Sequence, residues 1–237
     1  MPDASTRSAW SEALSRPIWR ALTGEQADLA IGTGKALRID PRYGPFAAAS
    51  DRSDAAQADL ANIVGASPHE IWLVEQEEWP APSGTRTVRT APLLQMVAET
   101  DERAGEPDPD ILPLGEEDVP EMTDLALATE PGPWGELTHR YGQFFGIRRG
   151  RALAAMAGER MRPAPGLTEV SGVCTWPQYR GKGMARRLIA HVTQAQRARD
   201  ETPFLHSYAH NETAIGLYKS LGFAPARKMM VTVLARA

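Results

Sequence analysis

The sequence predicts an α/β protein of the α+β kind, with a central mixed, twisted sheet flanked by helices. Two observations carry that expectation. Extended and helical patterns alternate through the C-terminal part in the order β-α-(α)-β-β-β-α-β-α-β, and a glycine-rich turn lies between one of those strands and one of those helices. The composition, 42% hydrophobic and 24% charged over 237 residues, suits a globular chain with a sizeable core.

In the N-terminal part, Asp54–Val64 reads as a helix and Glu70–Gln76 as a strand, while Arg86–Glu99 reads as a strand running into a helix. Trp10, Trp19, Trp72 and Trp79 are expected in the core. In the C-terminal part, Ile111–Leu114 is a short strand. Glu116–Ala128 is a helix whose acidic first turn suits the helix dipole, and Pro131-Gly132-Pro133 ends it. Gly142–Arg148 and Ala152–Ala157 form a hairpin turning near Arg149-Gly150. Thr168–Trp176 is a strand rich in β-branched and small residues. Gly183–Arg199 is a helix with apolar Met184, Leu188, Val192 and Ala195 on one face. Phe204–Tyr208 is a strand, Glu212–Leu221 a helix stopped by Gly222, and Met229–Leu234 a closing strand. The acidic, proline-bearing stretch 99–110 reads as a linker. It divides an N-terminal α/β domain, 1–98, from a second domain, 111–237.

Composition limits the function. No run approaches the length of a membrane span, and the N-terminus lacks the apolar stretch of a secretory signal, so a cytoplasmic protein is expected. The single cysteine, Cys174, excludes an internal disulfide and a multi-cysteine zinc site, and the five histidines show no metal-ligand spacing. From Thr168 onward ten Lys/Arg stand against four Asp/Glu, a surplus of six in a chain of net charge −4. A basic stretch of this kind suits a phosphorylated small molecule, a nucleic acid or simply solvated helix faces. Nucleic acid is disfavoured because the basic residues are not interleaved with aromatics.

The turn Gln178-Tyr179-Arg180-Gly181-Lys182-Gly183 is the richest segment. The first N–H groups of a helix lack backbone partners and sit at the positive end of its dipole, and glycines let a ligand approach them. A phosphate is the natural guest, with Arg180, Lys182, Arg186 and Arg187 adding charge. The Gly-Lys-Ser/Thr ending of a Walker loop is absent, and Arg186 stands where a dinucleotide fold needs a third glycine.

Gln-x-x-Gly-x-Gly between a strand and an amphipathic helix resembles the signature of the GNAT acyltransferase superfamily. Phe204-Leu205-His206, Asn211, Ala214-Ile215, Leu217-Tyr218 and Leu221-Gly222-Phe223 follow at matching distances. The runs Ala155–Arg160 and Glu169–Thr175 resemble the glycine-N-acyltransferase-like branch, with Trp176 a departure where that branch carries histidine. The resemblance covers residues 109–237 and implies a GNAT fold with coenzyme A, as acetyl-CoA, for co-substrate and no metal. It places the pantetheine arm against Val173, Cys174 and Thr175. It places the pyrophosphate on the backbone of Gln178, Tyr179, Arg180, Gly181, Lys182, Gly183, Met184 and Ala185. Asn211 and Tyr218 complete the cofactor site. The N-terminal part is then open to reading as a degenerate copy of the same fold, although it lacks such a loop.

Two catalytic candidates follow. Tyr218 takes the family position of a general acid beside the sulfur, against an alternative as a core tyrosine. Glu169 is a candidate general base, its carboxylate expected to be raised in pKa by burial, against an alternative as a structural partner of Arg160. His206 reads as structural, His210 as exposed and Cys174 as core, turned away from Glu169 and Thr175. The implied activity is N-acyl transfer to a primary amine by direct attack in a ternary complex. The alternative is a coenzyme A-binding regulatory module without catalysis. The acceptor, a small molecule or a peptide, is not legible. The residues that choose it are expected mostly in Pro131–Tyr141 and in the N-terminal part, with Trp134 and Phe145 lining the pocket. A homodimer is compatible with the sequence, but nothing in it calls for one.

Overall fold

The computed structural model describes residues 4–32, 34–99 and 108–237, and most of the expected linker, 100–107, lies outside them. The chain opens with helices α1 (Ala4–Ser15) and α2 (Pro17–Leu22), the latter started by a proline in its first turn, where no N–H is needed. Short strands β1 (Ala30–Ile31), β2 (Ala36–Ile39) and β3 (Ala47–Ala49) make a small antiparallel sheet. Helix α3 (Asp54–Ala66) is capped by Ser53, whose hydroxyl accepts from the Ala56 N–H, and it buries Ala56, Leu60 and Val64 at a four-residue spacing. Strands β4 (Ile71–Glu75) and β5 (Thr85–Ala98) follow.

Beyond the linker come β6 (Ile111–Leu114), a 3-10 turn at Glu116–Asp118, and helix α4 (Val119–Thr129). Glu130 ends α4 in the left-handed region at φ 47°, ahead of Pro131. Strands β7 (Phe144–Arg149), β8 (Ala152–Glu159) and β9 (Leu167–Thr175) form a meander. Helix α5 (Met184–Arg197), β10 (Thr202–Tyr208), α6 (Glu212–Lys219) and β11 (Phe223–Arg236) complete the chain. The C-terminal element order is the one expected.

Eight strands form one sheet in the order β4-β11-β5-β10-β9-β8-β7-β6, so strands from both sides of the linker share it. The expected helix at the end of Arg86–Glu99 is absent. Its run Leu93-Leu94-Gln95-Met96-Val97 is strand, paired with β10 on one edge and β11 on the other. A central strand covered on both faces reads as a continuous apolar run, which a helical window mimics. One sheet face carries α5, against which Met96, Leu205, Val170 and Ala155 pack. The opposite face carries α2 and β2–β3 over Phe204, Leu93, Val74 and Val231, with α4 beyond them over Met156 and Cys174. Trp79 is buried, and Trp10, Trp19 and Trp72 are half-buried against the core.

A bulge interrupts β9. Met156 pairs with Cys174, but Gly158 pairs with Ser171, so β9 holds one extra residue there. Gly172 supplies the left-handed backbone, at φ 61°. The shift puts Val173 with Val170 on the α5 side and Cys174 on the opposite face, towards α4. That is also the face of Glu169, so the expectation from regular alternation that Cys174 turns away from Glu169 is corrected, while Cys174 is core as expected. A Cβ at Gly172 would lie 2.7 Å from Cε1 of Phe144. Gly172→Ala should therefore cost about 1–3 kcal/mol of stability, read by urea unfolding. A loss within experimental error would show that the bulge is not held by this contact.

Candidate active site

Strands β9 and β10 run parallel but pair only at Thr202–Leu167, Pro203–Thr168 and Phe204–Glu169. Beyond Glu169 they part. On its far edge β10 stays bound to β5 as far as Tyr208–Leu93. The parted edges therefore face each other without a ladder, and buried backbone groups left in that state need another partner. A cavity of about 720 Å³ occupies the gap.

One end of the cavity is lined by Val173, Cys174, Thr175, Arg180, Ala185, Asn211 and Tyr218, all expected at the cofactor site. Gln178, Tyr179, Gly181, Lys182, Gly183 and Met184 are not among the lining residues; they form the turn at the cavity's edge and the start of α5. Gly181 and Gly183 have φ 75° and 74°, and a Cβ on either would meet nothing within 4 Å. The glycines thus serve the backbone conformation and leave open space in front of the helix N–H groups. Thr175 Oγ1 is buried and has no hydrogen-bond partner among the described residues. An open glycine cradle and an orphaned hydroxyl both suit an elongated phosphorylated guest.

The charge around the turn is less free than its sequence implies. Arg187 grips Asp108 at 2.6 and 2.7 Å and Asp110 at 2.8 Å, fixing the chain as it enters β6. Arg186 bonds Ser220 Oγ, and Arg180 Nε reaches the Thr175 carbonyl at 3.3 Å. Lys182 lies over the Tyr179 ring. Asn211 caps α6, its side-chain oxygen accepting from the Ala214 N–H at 3.1 Å. Burial pushes the Tyr218 phenol up to about 12, so it stays protonated through the neutral range.

The other end of the cavity holds a polar chain on the face opposite α5. His206 Nδ1 lies 2.8 Å from Glu169 Oε1. Gln95 Nε2 lies 2.9 Å from the Leu14 carbonyl and 3.0 Å from His206 Nε2. An amide nitrogen only donates, and flipping Gln95 would set two acceptors against each other at Leu14. His206 Nε2 therefore accepts, and its proton sits on Nδ1, directed at Glu169. Arg160 Nε lies 3.8 Å from Glu169 Oε2 and donates to Ser171 Oγ at 2.7 Å.

Burial alone would raise the Glu169 pKa, as the sequence reading expected. The Arg160 guanidinium, the His206 hydrogen bond and the Met161 N–H outweigh it, and the carboxyl is held below its ordinary value. The expectation of a raised pKa is corrected accordingly: the partners that reverse it are remote in sequence. Trp134 and Phe145 do not line the cavity. Trp134 donates to Thr123 Oγ1 and packs edge-on to Phe144, and Phe145 packs on His191. The walls that sequence reading missed come from the N-terminal part: Ile18, Phe46, Trp72, Val74 and Leu93. Only β-register and long-range packing bring them here, and no local signal marks them. His210 is exposed, stacked on Tyr208.

The FR47-like protein family model matches residues 144–231, the segment from β7 into β11. The crystal structure of a chain described as a GNAT-family acetyltransferase from Novosphingobium aromaticivorans DSM 12444 is 56% identical. It covers 95% of this chain and 99% of that one, with a TM-score of 0.90. The chain belongs to the GNAT family. A GCN5-related N-acetyltransferase from Kribbella flavida, at 19% identity, shares the fold over 93% of this chain and 95% of its own, with a TM-score of 0.58. Among curated proteins, the N-alpha-acetyltransferase RimI of Mycobacterium tuberculosis is 33% identical over 90 residues, 37% of this chain and 56% of that one. An uncharacterised Mycobacterium leprae protein is 36% identical over a match covering 24% of its length. This chain thus spans about half or less of the curated relatives it matches. Among the described residues no cluster of three or more His, Cys, Asp or Glu could hold a metal ion, and no helix is long and apolar enough to cross a membrane.

The depressed Glu169 pKa fixes a sign. Its contribution to stability is complete above the ordinary value of 4.5 and is lost as pH falls through the lower folded value. The stability gap between the wild type and Glu169→Gln should be flat above about pH 5.5 and shrink below about pH 4.5. Denaturant unfolding across pH reads this, and a gap indifferent to pH would take the carboxylate charge out of the account.

Proposed function

We propose that the chain transfers an acetyl group from acetyl-CoA to a primary amine by direct attack in a ternary complex. The observation that carries this is the parting of β9 and β10 into a cavity that runs to the Gly181–Gly183 cradle. In this reading the backbone of Val173, Cys174 and Thr175 holds the pantetheine arm and thioester carbonyl. The N–H groups from Gln178 to Ala185 hold the pyrophosphate, and Asn211 frames the arm's exit. Unpaired N–H groups on the bulged edge of β9 suit the charge that develops on the carbonyl oxygen during attack. The amine acceptor is supported by the name of the Mycobacterium tuberculosis relative, an N-alpha-acetyltransferase.

The proposed step conserves atoms and charge. The acceptor ammonium first gives one proton to solvent; the free amine nitrogen then bonds the acetyl carbon and the C–S bond breaks. Bonding makes the nitrogen's N–H strongly acidic, so a carboxylate of low pKa such as Glu169 suffices to take its proton. The leaving thiolate takes a proton from Tyr218, which burial keeps in its acid form. Solvent then returns both groups to their starting states. Within the superfamily, the runs Ala155–Arg160 and Glu169–Thr175 support placement in the glycine-N-acyltransferase-like branch. Residues 111–237 carry the cofactor end in this reading, and residues 1–98 wall the acceptor end and supply β5 to the sheet between β10 and β11.

Titration calorimetry should detect acetyl-CoA binding. Gly183→Trp should abolish it while the thermal transition persists, because the new side chain projects into open space. Normal binding by that variant would remove the turn from the site. Tyr218→Phe should lower kcat by about 100-fold or more with acetyl-CoA affinity preserved. An unchanged kcat would reduce Tyr218 to packing.

A further inference from the structure

Arg160 lines the acceptor end of the cavity, yet its side chain is only 12% exposed. A guanidinium has five N–H donors. Ser171 Oγ takes two of them, one from Nε and one from a terminal nitrogen, which leaves three without a hydrogen-bond partner among the described residues. These nitrogens are not fully enclosed by protein and open onto the cavity, where a guest can meet them. The terminal nitrogens face the Pro131–Pro133 loop, where a Cβ on Gly132 would lie 3.4 and 3.8 Å from them, and that loop lines the same cavity. The guanidinium carbon also lies 5.3 Å from the centroid of the Phe46 ring, within range of a cation–π contact. Beside it, 3.8 Å away, stands the Glu169 carboxylate. A cation with free donors and an anion thus sit side by side in one enclosed space.

We propose that Arg160 binds a carboxylate of the acceptor, and that the acceptor is a free α-amino acid with an apolar side chain. In an α-amino acid one carbon separates the ammonium from the carboxylate, so the two charges need partners that are neighbours, as Glu169 and Arg160 are. A planar guanidinium with open N–H groups matches a carboxylate. The remaining wall is apolar, built by Ile18, Phe46, Trp72, Val74 and Leu93, and gives a hydrocarbon or aromatic side chain a place to bury. These walls lie outside the segment 144–231 that the family model matches, so acceptor choice here is set by residues the model does not cover. A protein N-terminus offers a neutral amide carbonyl where the amino acid offers its carboxylate, and would meet the guanidinium with one uncharged oxygen in place of two charged ones.

This inference rests on the acetyl-transfer reading, and the test separates the two. The full chain is assayed with acetyl-CoA for thiol release on leucine, methionine and phenylalanine, on their C-terminal amides, and on peptides beginning with the same residues. The free acids should react with a KM about 10- to 100-fold below that of the amides. Arg160→Leu should raise KM for the acids until acid and amide are alike, while acetyl-CoA binding by calorimetry is kept. Phe46→Ala should weaken phenylalanine more than alanine. If Arg160→Leu does not fold, the wild-type acid-to-amide ratio still decides. Equal or better use of amides or peptides overturns the proposal, as does acetyl-CoA binding with transfer to none of the acids. Failure to bind acetyl-CoA at all defeats the acetyl-transfer reading itself.

Discussion

The parting of β9 from β10 just past Glu169 is the constraint on which the rest of the structure depends. Three residue pairs join the two strands, and then the ladder stops inside the sheet. An interior strand edge without a partner is costly, so the fold must hold it open. Two features do so. Pairing with β5 commits the far edge of β10 up to Tyr208. The bulge at Gly172, wedged by Phe144, changes the phase of β9 where the gap begins. The Glu169–His206 hydrogen bond then ties the strands by side chains just beyond the last backbone pair. It sits at the vertex, and the cavity opens from there.

The two ends of that cavity are built by different means. Towards the glycine turn the groups on offer are largely backbone: the free edge of β9, the αL glycines and the start of α5. Backbone groups recognise what every substrate of the family has in common, and they tolerate sequence change. Towards α2 and β3 the groups are side chains from distant parts of the chain. Arg16 secures that wall, its guanidinium bonding both oxygens of Glu75 at 3.1 Å and the Ala49 and Ser50 carbonyls. This ties α2 to β3 and β4 and keeps Ile18, Phe46 and Trp72 against the sheet. The wall is as much a part of the site as the turn is.

That division also explains what was legible in the sequence. The turn, the strand before it and helix α5 are local patterns, written in consecutive residues with the right periodicity, and the structure reproduces them. Strand β5 was half-legible: its first residues are exposed, polar and β-branched, but its last ones are buried on both faces and lose the two-residue period. The pKa direction of Glu169 was misread because burial was given more weight than Arg160, nine residues away and already an alternative partner, and because His206, thirty-seven residues away, reaches it only through strand register. Arg187 looked like phosphate charge until Asp108 and Asp110 were found to hold it. The apolar wall of residues 18–93 was legible only as a contribution of the N-terminal part as a whole, since no spacing names its residues or links them to the turn.

Glu169 and Arg160 compensate each other in a way that bears on chemistry. Each alone would be an expensive buried charge, and together they still leave guanidinium donors unmet. A cavity lined by such a pair is less demanding of a neutral guest than of a zwitterionic one, because only the zwitterion offers each charge its complement. Burial penalises the carboxylate, and the guanidinium reverses that penalty. In the proposed reaction, the residue that keeps Glu169 ionised for proton transfer is therefore the same residue that would present open donors to the acceptor. Removing Arg160 would alter both the protonation of Glu169 and the recognition of the guest. For that reason the acid-to-amide preference, rather than the rate alone, separates its two contributions.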